Sequence, residues 1–162
     1  MRSKIVREIL SKNQRNIVGG GGLSLGTVVD GDESDSLTSG LVFYEYHFDE
    51  NFGLYTKAFF GSSNDSGRGG GGVDIRGLQL SLKARADFLE NMSAYARFGA
   101  SFNDTKSSGI TFNNSSSGVG LVGATGLEYL SDDGVIFGLE LEYYDAGAVE
   151  VIGGNLFVGV RF

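Results

Sequence analysis

The amino-acid sequence predicts an all-β fold, an eight-stranded antiparallel up-and-down transmembrane β-barrel, and three observations carry that expectation. Eight segments alternate apolar and polar side chains with the period of two that strands impose. Their connections alternate between tight turns and longer polar runs. Charges of both signs collect on the parity opposite the apolar one.

The strands are expected near residues 17–29, 36–48, 52–61, 73–88, 92–103, 117–130, 135–145 and 154–162, each able to supply the roughly 9–11 residues of a tilted spanning strand. With the apolar parity taken as outward, the first strand presents Leu23, Leu25, Thr27 and Val29 to lipid. The second presents Val42, Tyr44, Tyr46 and Phe48, and the third Phe52, Leu54, Thr56, Ala58 and Phe60. The fourth alternates most regularly: Leu78, Leu80, Leu82, Ala84, Ala86 and Phe88 interleave with Gln79, Ser81, Lys83, Arg85 and Asp87, a face that hydrocarbon would not accept. In the fifth, Ala94, Ala96, Phe98, Ala100 and Phe102 lie outside, while Tyr95, Arg97, Gly99 and Ser101 lie inside. The last three strands point Leu121, Thr125, Leu127 and Tyr129, then Phe137, Leu139, Leu141 and Tyr143, then Leu156, Val158, Val160 and Phe162 outward.

Asp49-Glu50-Asn51, Glu90-Asn91 and Ser131-Asp132-Asp133-Gly134 read as tight turns. The connections Asp30 to Asp35, Ser62 to Gly72 and Asp104 to Ser116 are longer and rich in Ser, Asn, Asp and Gly, with a shorter one around Gly147. Barrels of the bacterial outer membrane have short periplasmic turns and long extracellular loops, so periplasmic termini and extracellular long loops are expected.

Composition agrees with many strands joined by turns. Among 162 residues there are 27 glycines, 12% aromatics and no proline, cysteine or tryptophan, so disulfides and thiolate metal sites are excluded. The net charge is -7; Arg2, Lys4, Arg7, Lys12 and Arg15 against Glu8 make the first sixteen residues +4, leaving -11 for the remainder, which disfavours nucleic acid as a partner. No run approaches the roughly 18 apolar residues of a transmembrane helix, and the N-terminus lacks the apolar core of a secretory signal. The chain is expected to divide into a basic N-terminal stretch, residues 1–16, and a barrel, residues 17–162. In that stretch Ile5, Val6, Ile9 and Leu10 suit one side of a short helix, either a periplasmic extension or an expression remnant.

The inward charges are Glu45, Lys57, Lys83, Arg85, Arg97, Glu128, Glu140, Glu142 and Arg161, nearly balanced in sign and drawn from seven strands. Buried charges persist only when paired, so a lumen ionic network is expected. A hairpin through Asp49 brings Glu45 opposite or diagonal to Lys57, and Glu140 is expected to approach Arg161. The same alternation also describes a soluble β-barrel with its apolar face inside, such as a lipocalin-like ligand binder. That fold would bury the aromatic face and requires neither alternating loop lengths nor a terminal aromatic.

The ordered segments resemble the OmpA-type transmembrane domain over most of residues 17–162. Ala94-Tyr95-Ala96-Arg97-Phe98-Gly99-Ala100 looks like that family's fifth strand, Gly126-Leu127-Glu128-Tyr129 like its sixth, and Glu140-Leu141-Glu142-Tyr143 like its seventh. Phe157-Val158-Gly159-Val160-Arg161-Phe162 is similar to the terminal strand by which the barrel-assembly machinery recognises its clients. The resemblance implies an assembly signal at Val158, Val160 and Phe162, and places Arg97, Glu128 and Glu142 in the lumen. It also implies outer-membrane lipid and lipopolysaccharide as surroundings, and a monomer. The family's common peptidoglycan-binding domain is absent, so no tether to the cell wall is implied. With tryptophan missing, Tyr44, Tyr46, Phe48, Phe52, Phe88, Tyr129 and Phe162 are the candidates for the interfacial aromatic girdle.

Catalytic and metal motifs are weak. Gly22-Leu23-Ser24-Leu25-Gly26 fits a nucleophile-elbow pattern but sits inside an alternating strand rather than at a strand-to-helix turn. His47 is expected to pair near Gly19, about five residues or on the order of 16 Å from Ser24, too far to act as its base. His47 thus reads as a lumen hydrogen-bonding group near the periplasmic rim. Gly67–Gly72 lacks the Lys-Ser/Thr pair of a phosphate loop. Asp30, Asp32, Glu33 and Asp35 lack calcium-hand spacing. The Asn-x-Ser/Thr triplets at Asn64, Asn91, Asn103 and Asn114 are common in Ser/Asn-rich sequence. No catalytic residue, cofactor or metal is expected.

The function expected is an integral outer-membrane protein with a structural or surface role and a charge-filled, at most narrowly conducting lumen. Recognition through the loops at 30–35, 62–72 and 104–116, as in a surface adhesin, is one alternative. A lipid-modifying barrel enzyme is another.

Overall fold

The period-two alternation folds into eight strands: β1 (Asn16–Asp30), β2 (Glu33–His47), β3 (Phe52–Asn64), β4 (Gly72–Leu89), β5 (Met92–Ser108), β6 (Asn113–Leu130), β7 (Val135–Asp145) and β8 (Glu150–Arg161). In this computed structural model they pair antiparallel in chain order, and β8 closes on β1. The structure describes residues 15–30, 33–64, 72–108, 113–145 and 150–162; residues 22–30, 33–37, 64, 72–73, 107–108 and 113–116 are described by backbone alone.

Closure fixes the geometry. Following ladder partners once around the wall from Ile17 passes Glu45, Tyr55, Ser81, Gly99, Val122, Tyr144 and Val151 and returns to β1 at Val28, eleven residues beyond the start. One of those residues belongs to a bulge, because the β1 register shifts between Gly21 and Ser24 against β2 and between Gly20 and Leu23 against β8. The remaining stagger over eight strands corresponds to a strand tilt of about 40° and a backbone cylinder of about 8 Å radius, small enough for side chains to fill.

The turns at the rim carrying both termini close as their sequences require. Asp49 Oδ1 accepts the backbone N–H groups of Asn51 and Phe52 at 2.7 and 2.8 Å. Ser131 Oγ accepts Val135 N–H at 3.0 Å, and Gly134 takes the turn's positive φ of 82°. At the opposite rim the structure differs from expectation. β3 runs on to Asn64, β4 starts at Gly72, β5 continues to Ser108 and β6 begins at Asn113, so much of the expected loops at 62–72 and 104–116 is strand. Ladder pairing with a neighbouring strand satisfies backbone N–H and C=O groups along these extensions, and this outweighs the weak strand propensity of Ser, Asn and Gly. The loop runs 65–71 and 109–112, the connections 31–32 and 146–149, and residues 1–14 with the proposed helix lie outside the described residues.

The β1–β2 hairpin turns earlier than expected. Gly19 pairs with Phe43, and His47 N–H donates to Arg15 C=O at 2.8 Å, so His47 stands at the terminal rim. Ser24 pairs with Ser39, eight positions up β2 from His47. The shorter connection and the bulge together slide the register by about four residues.

Side chains divide by parity. Val42, Phe52, Phe60, Leu78, Leu82, Phe98, Leu121, Phe137, Leu141, Leu156 and Phe162 are exposed on the exterior, Leu82 at 65%. Such a continuous apolar wall exceeds what a water-soluble monomer leaves uncovered. The side chains of Leu23, Leu25, Thr27 and Val29 lie outside the described residues, although the backbone register sets Leu23 beside Leu156. On β4 the outward apolar series from Leu78 to Phe88 covers about 33 Å of strand, or about 25 Å along the barrel axis. Above it the wall becomes polar: Arg76 pairs with Asp104 and Asp74 faces Lys106 across the ladder.

Candidate functional site: a filled lumen

Inward residues from all eight strands meet in the lumen, where small residues leave room for long ones. Gly126 faces Tyr95, and a β-carbon there would fall 2.6 Å from the tyrosine hydroxyl. Arg97 on β5 is the hub. Its Nε donates to Glu140 Oε2 at 2.7 Å and its Nη2 to Glu140 Oε1 at 2.8 Å, a two-pronged contact, and Nη2 also meets Glu142. Nη1 reaches Gln79 Oε1 at 3.1 Å and Ser81 Oγ at 3.3 Å, and the guanidinium carbon lies 4.7 Å from the centre of the Tyr55 ring. Lys57 binds Glu142 and lies 4.0 Å from Glu140. Gln79, Tyr95 and Asn155 donate to the remaining carboxylate lone pairs, Gln79 and Tyr95 at 2.8 Å and Asn155 Nδ2 to Glu140 at 3.1 Å. Burying two cations and two carboxylates is tolerable here because their polar atoms are met by partners of opposite charge or by neutral hydrogen-bonding groups.

A second cluster lies nearer the terminal rim. Lys83 Nζ donates to Glu45 Oε2 at 2.8 Å, contacts Glu128, and sits 4.1 Å from the centre of the Tyr95 ring. His47 Nε2 lies 3.0 Å from Glu45 Oε1 without the alignment a hydrogen bond needs. Arg85 pairs with Asp87 at 2.9 Å near the mouth, and Arg161 lines a recess of about 460 Å³ with Arg15, His47, Phe48, Asp49, Glu50 and Asn51.

Glu45, Lys57, Lys83, Arg97, Glu128, Glu140 and Glu142 are therefore buried together, whereas Arg85 and Arg161 stand at the rim. Glu45 is diagonal to Lys57 in the ladder, as expected, although its carboxylate goes to Lys83 while Lys57 crosses to Glu142. The expected approach of Glu140 to Arg161 is corrected: Glu140 is level with Asn155, because the β7–β8 register leaves Arg161 six positions below. Cross-lumen partners are invisible to hairpin arithmetic, which relates adjacent strands only. Gln79, Ser81, Tyr95 and Asn155 complete the network; their signal was shared parity with the charged residues.

Beyond the charges, toward the loop rim, the lumen turns apolar. Phe59 and Tyr144 pack with ring centres 5.2 Å apart among Val122, Ile75 and Val151, and Val122 is 0% exposed.

On the exterior, Tyr44, Tyr46, Phe48, Phe52, Phe88, Tyr129 and Phe162 are all exposed, the Tyr44 hydroxyl donating to Asn16 Oδ1 at 2.6 Å. Phe60, Phe102 and Tyr143 form a further aromatic group toward the loop rim. Val158 and Val160 on β8 and Phe162 just beyond it are exposed on the exterior, and the Phe162 backbone exchanges hydrogen bonds with Asn16. Among the described residues no cluster of His, Asp and Glu has metal-binding geometry, and no helix is long and apolar enough to cross a membrane.

Solved structures share this architecture. Ail, the attachment invasion locus protein of Yersinia pestis, is 21% identical with a TM-score of 0.67, covering 92% of this chain and 99% of its own. Neisserial surface protein A is 14% identical with a TM-score of 0.73, covering 91% of this chain and 96% of its own. OprG of Pseudomonas aeruginosa is 13% identical with a TM-score of 0.62, covering 92% and 96%. No curated protein sequence matches the chain. Residues 11–162 match the outer membrane protein β-barrel domain, and the chain belongs to that family of bacterial outer-membrane barrels.

Proposed function

We propose that this protein is a closed outer-membrane barrel with a structural and surface role: it holds its loop rim outside the cell and its termini in the periplasm, and passes at most a narrow current. The observation that carries the proposal is the network from Arg97 and Lys57 to Glu140 and Glu142, which crosses the lumen and links β3, β5 and β7. Side chains already occupy the interior of an eight-stranded cylinder, and displacing ion pairs from one another is costly. Planar-bilayer recording of the folded monomer tests the closure, with no steady large conductance expected; a large, stable open channel would overturn it. Protease treatment of intact cells tests the orientation, with cleavage expected only at the loop rim.

Recognition at the cell surface is a second reading, favoured by the height of the wall. β4, β5 and β6 have 18, 17 and 18 residues against 11 in β7, and they rise past the apolar band. The fold is shared with Ail, whose name describes attachment and invasion.

A further inference from the structure

The recess at the terminal rim, about 460 Å³, falls within the roughly 300–1,000 Å³ of small-ligand pockets. The strand order β8, β1, β2, β3 sorts the charges that line it. Arg161 comes from β8 and Arg15 from the residue before β1, whereas Asp49 and Glu50 come from the turn between β2 and β3. His47, the last residue of β2, stands between the two groups, and the hydrogen bond from its backbone N–H to Arg15 C=O holds the start of β1 beside it. Cations therefore flank one side of the recess and acids the other.

His47 is 4% exposed, and neither of its ring nitrogens has a hydrogen-bond partner among the described residues. Buried polar groups are nearly always partnered, so an imidazole left open in the wall of a recess marks a place where a ligand completes the bonding. Arg15 and Glu50 share the recess, yet neither has an ion-pair partner among the described residues. A simple anion would be held by the guanidiniums and repelled by the acids, and a simple cation would meet the reverse. Among the described residues the acids and His47 also lack metal-binding geometry. A molecule carrying both charges satisfies both sides. The start of β1 and the turn are one to two strand spacings apart, about 5–10 Å, and the free ends of a dipeptide are at most about 7 Å apart, so with the reach of the side chains it spans the gap.

From the recess, its sorted charges and the open imidazole together we infer that the terminal mouth binds a short zwitterionic peptide of dipeptide size. The carboxylate of the ligand meets Arg15 and Arg161, its ammonium meets Asp49 and Glu50, and His47 hydrogen-bonds its peptide group. A neutral imidazole has one donor and one acceptor, as a peptide bond does. The cluster of Glu45, Lys83 and Glu128 lies deeper than His47 and stops the ligand at the mouth. This goes beyond the structural and surface reading above, which assigns no ligand to this end of the barrel.

The test uses the full chain folded in lipid nanodiscs, which leave both rims accessible. The sequence has one histidine, so the His47 imidazole gives a single set of ring resonances. Dialanine is the probe, and a saturable shift of those resonances over millimolar concentrations is expected. N-acetyl-dialanine and dialanine amide each lack one charge and should bind about fivefold more weakly, the upper end for an exposed charge contact. Arg15→Gln and Glu50→Gln should each weaken dialanine by a similar factor, with the gel shift between folded and unfolded forms showing that the variants fold. Arg15→Gln should then leave binding of the amide unchanged, because the carboxylate it meets is already gone, and Glu50→Gln should leave binding of the acetylated form unchanged. An imidazole that dialanine does not move, as when the chain itself fills the recess, would overturn the inference. Acetylated dialanine binding as tightly as dialanine would reduce the recess to a general anion site, and the amide doing so would reduce it to a cation site; either result also overturns it.

Discussion

Gly138 on β7 and Phe157 on β8 are direct ladder partners, and the phenyl ring fills the space that a side chain at 138 would need. A β-carbon there would lie 2.1 Å from the ring. The ring also packs edge-on against Phe43 at 5.3 Å, which blocks its retreat on that side.

Gly138→Ala is therefore expected to destabilise the folded barrel by about 1–3 kcal/mol, the usual cost of overpacking. Phe157→Leu in the same chain should recover part of that loss. Urea unfolding in detergent micelles, followed by the gel shift between folded and unfolded forms, measures both.

Removing Arg97 leaves Glu140 and Glu142 short of their main counter-charge. Arg97→Met should cost about 3–5 kcal/mol, while Arg97→Met combined with Glu140→Leu should cost less than the sum of the two single changes. A double-mutant cycle on unfolding free energies reads the coupling; additive effects would mean the two-pronged contact contributes nothing to stability.

The exterior should price charge by depth. Leu80→Arg, in the middle of the apolar band, is expected to cost about 2–4 kcal/mol when the protein folds into lipid, and Ser62→Arg, opposite Asp74 at the polar collar, about 1 kcal/mol or less. Equal penalties in vesicle-folding titrations would place the membrane elsewhere on the wall.

The proposed closure of the lumen implies two barriers in series, one ionic and one apolar. Phe59→Ala with Tyr144→Ala removes only the second, and Lys57→Ser with Glu142→Ser removes a balanced pair from the first. Neither double variant should conduct, whereas the four changes combined should give measurable single-channel current in planar bilayers.

The sequence carried the architecture because a barrel writes its two environments into alternate residues. Leu78 to Phe88 against Gln79 to Asp87 is legible without any structure, and the same parity marks Arg97, Glu140 and Glu142 as inward. The choice of partner was not legible. Lys57 is two strands from Arg97 and four from Glu142 in chain order, and only a closed, tilted wall brings the three together. The bulge near Gly22 was also hidden, since four consecutive glycines, Gly19 to Gly22, carry no alternation to interrupt. The upper strands look like loops in the sequence because Ser, Asn and Gly report local propensity, while pairing across the wall decides the outcome.

The apolar band has one more effect, on the bilayer itself. A cylinder braced by cross-lumen ion pairs shortens or lengthens little, so the lipid must adjust to the protein. A greasy belt about 25 Å tall fits a thin membrane, and chains in a thicker one of about 32 Å would have to compress around it at a penalty for every ångström of misfit. Thickness alone thus favours one destination over another for this protein, independently of any signal that directs its insertion.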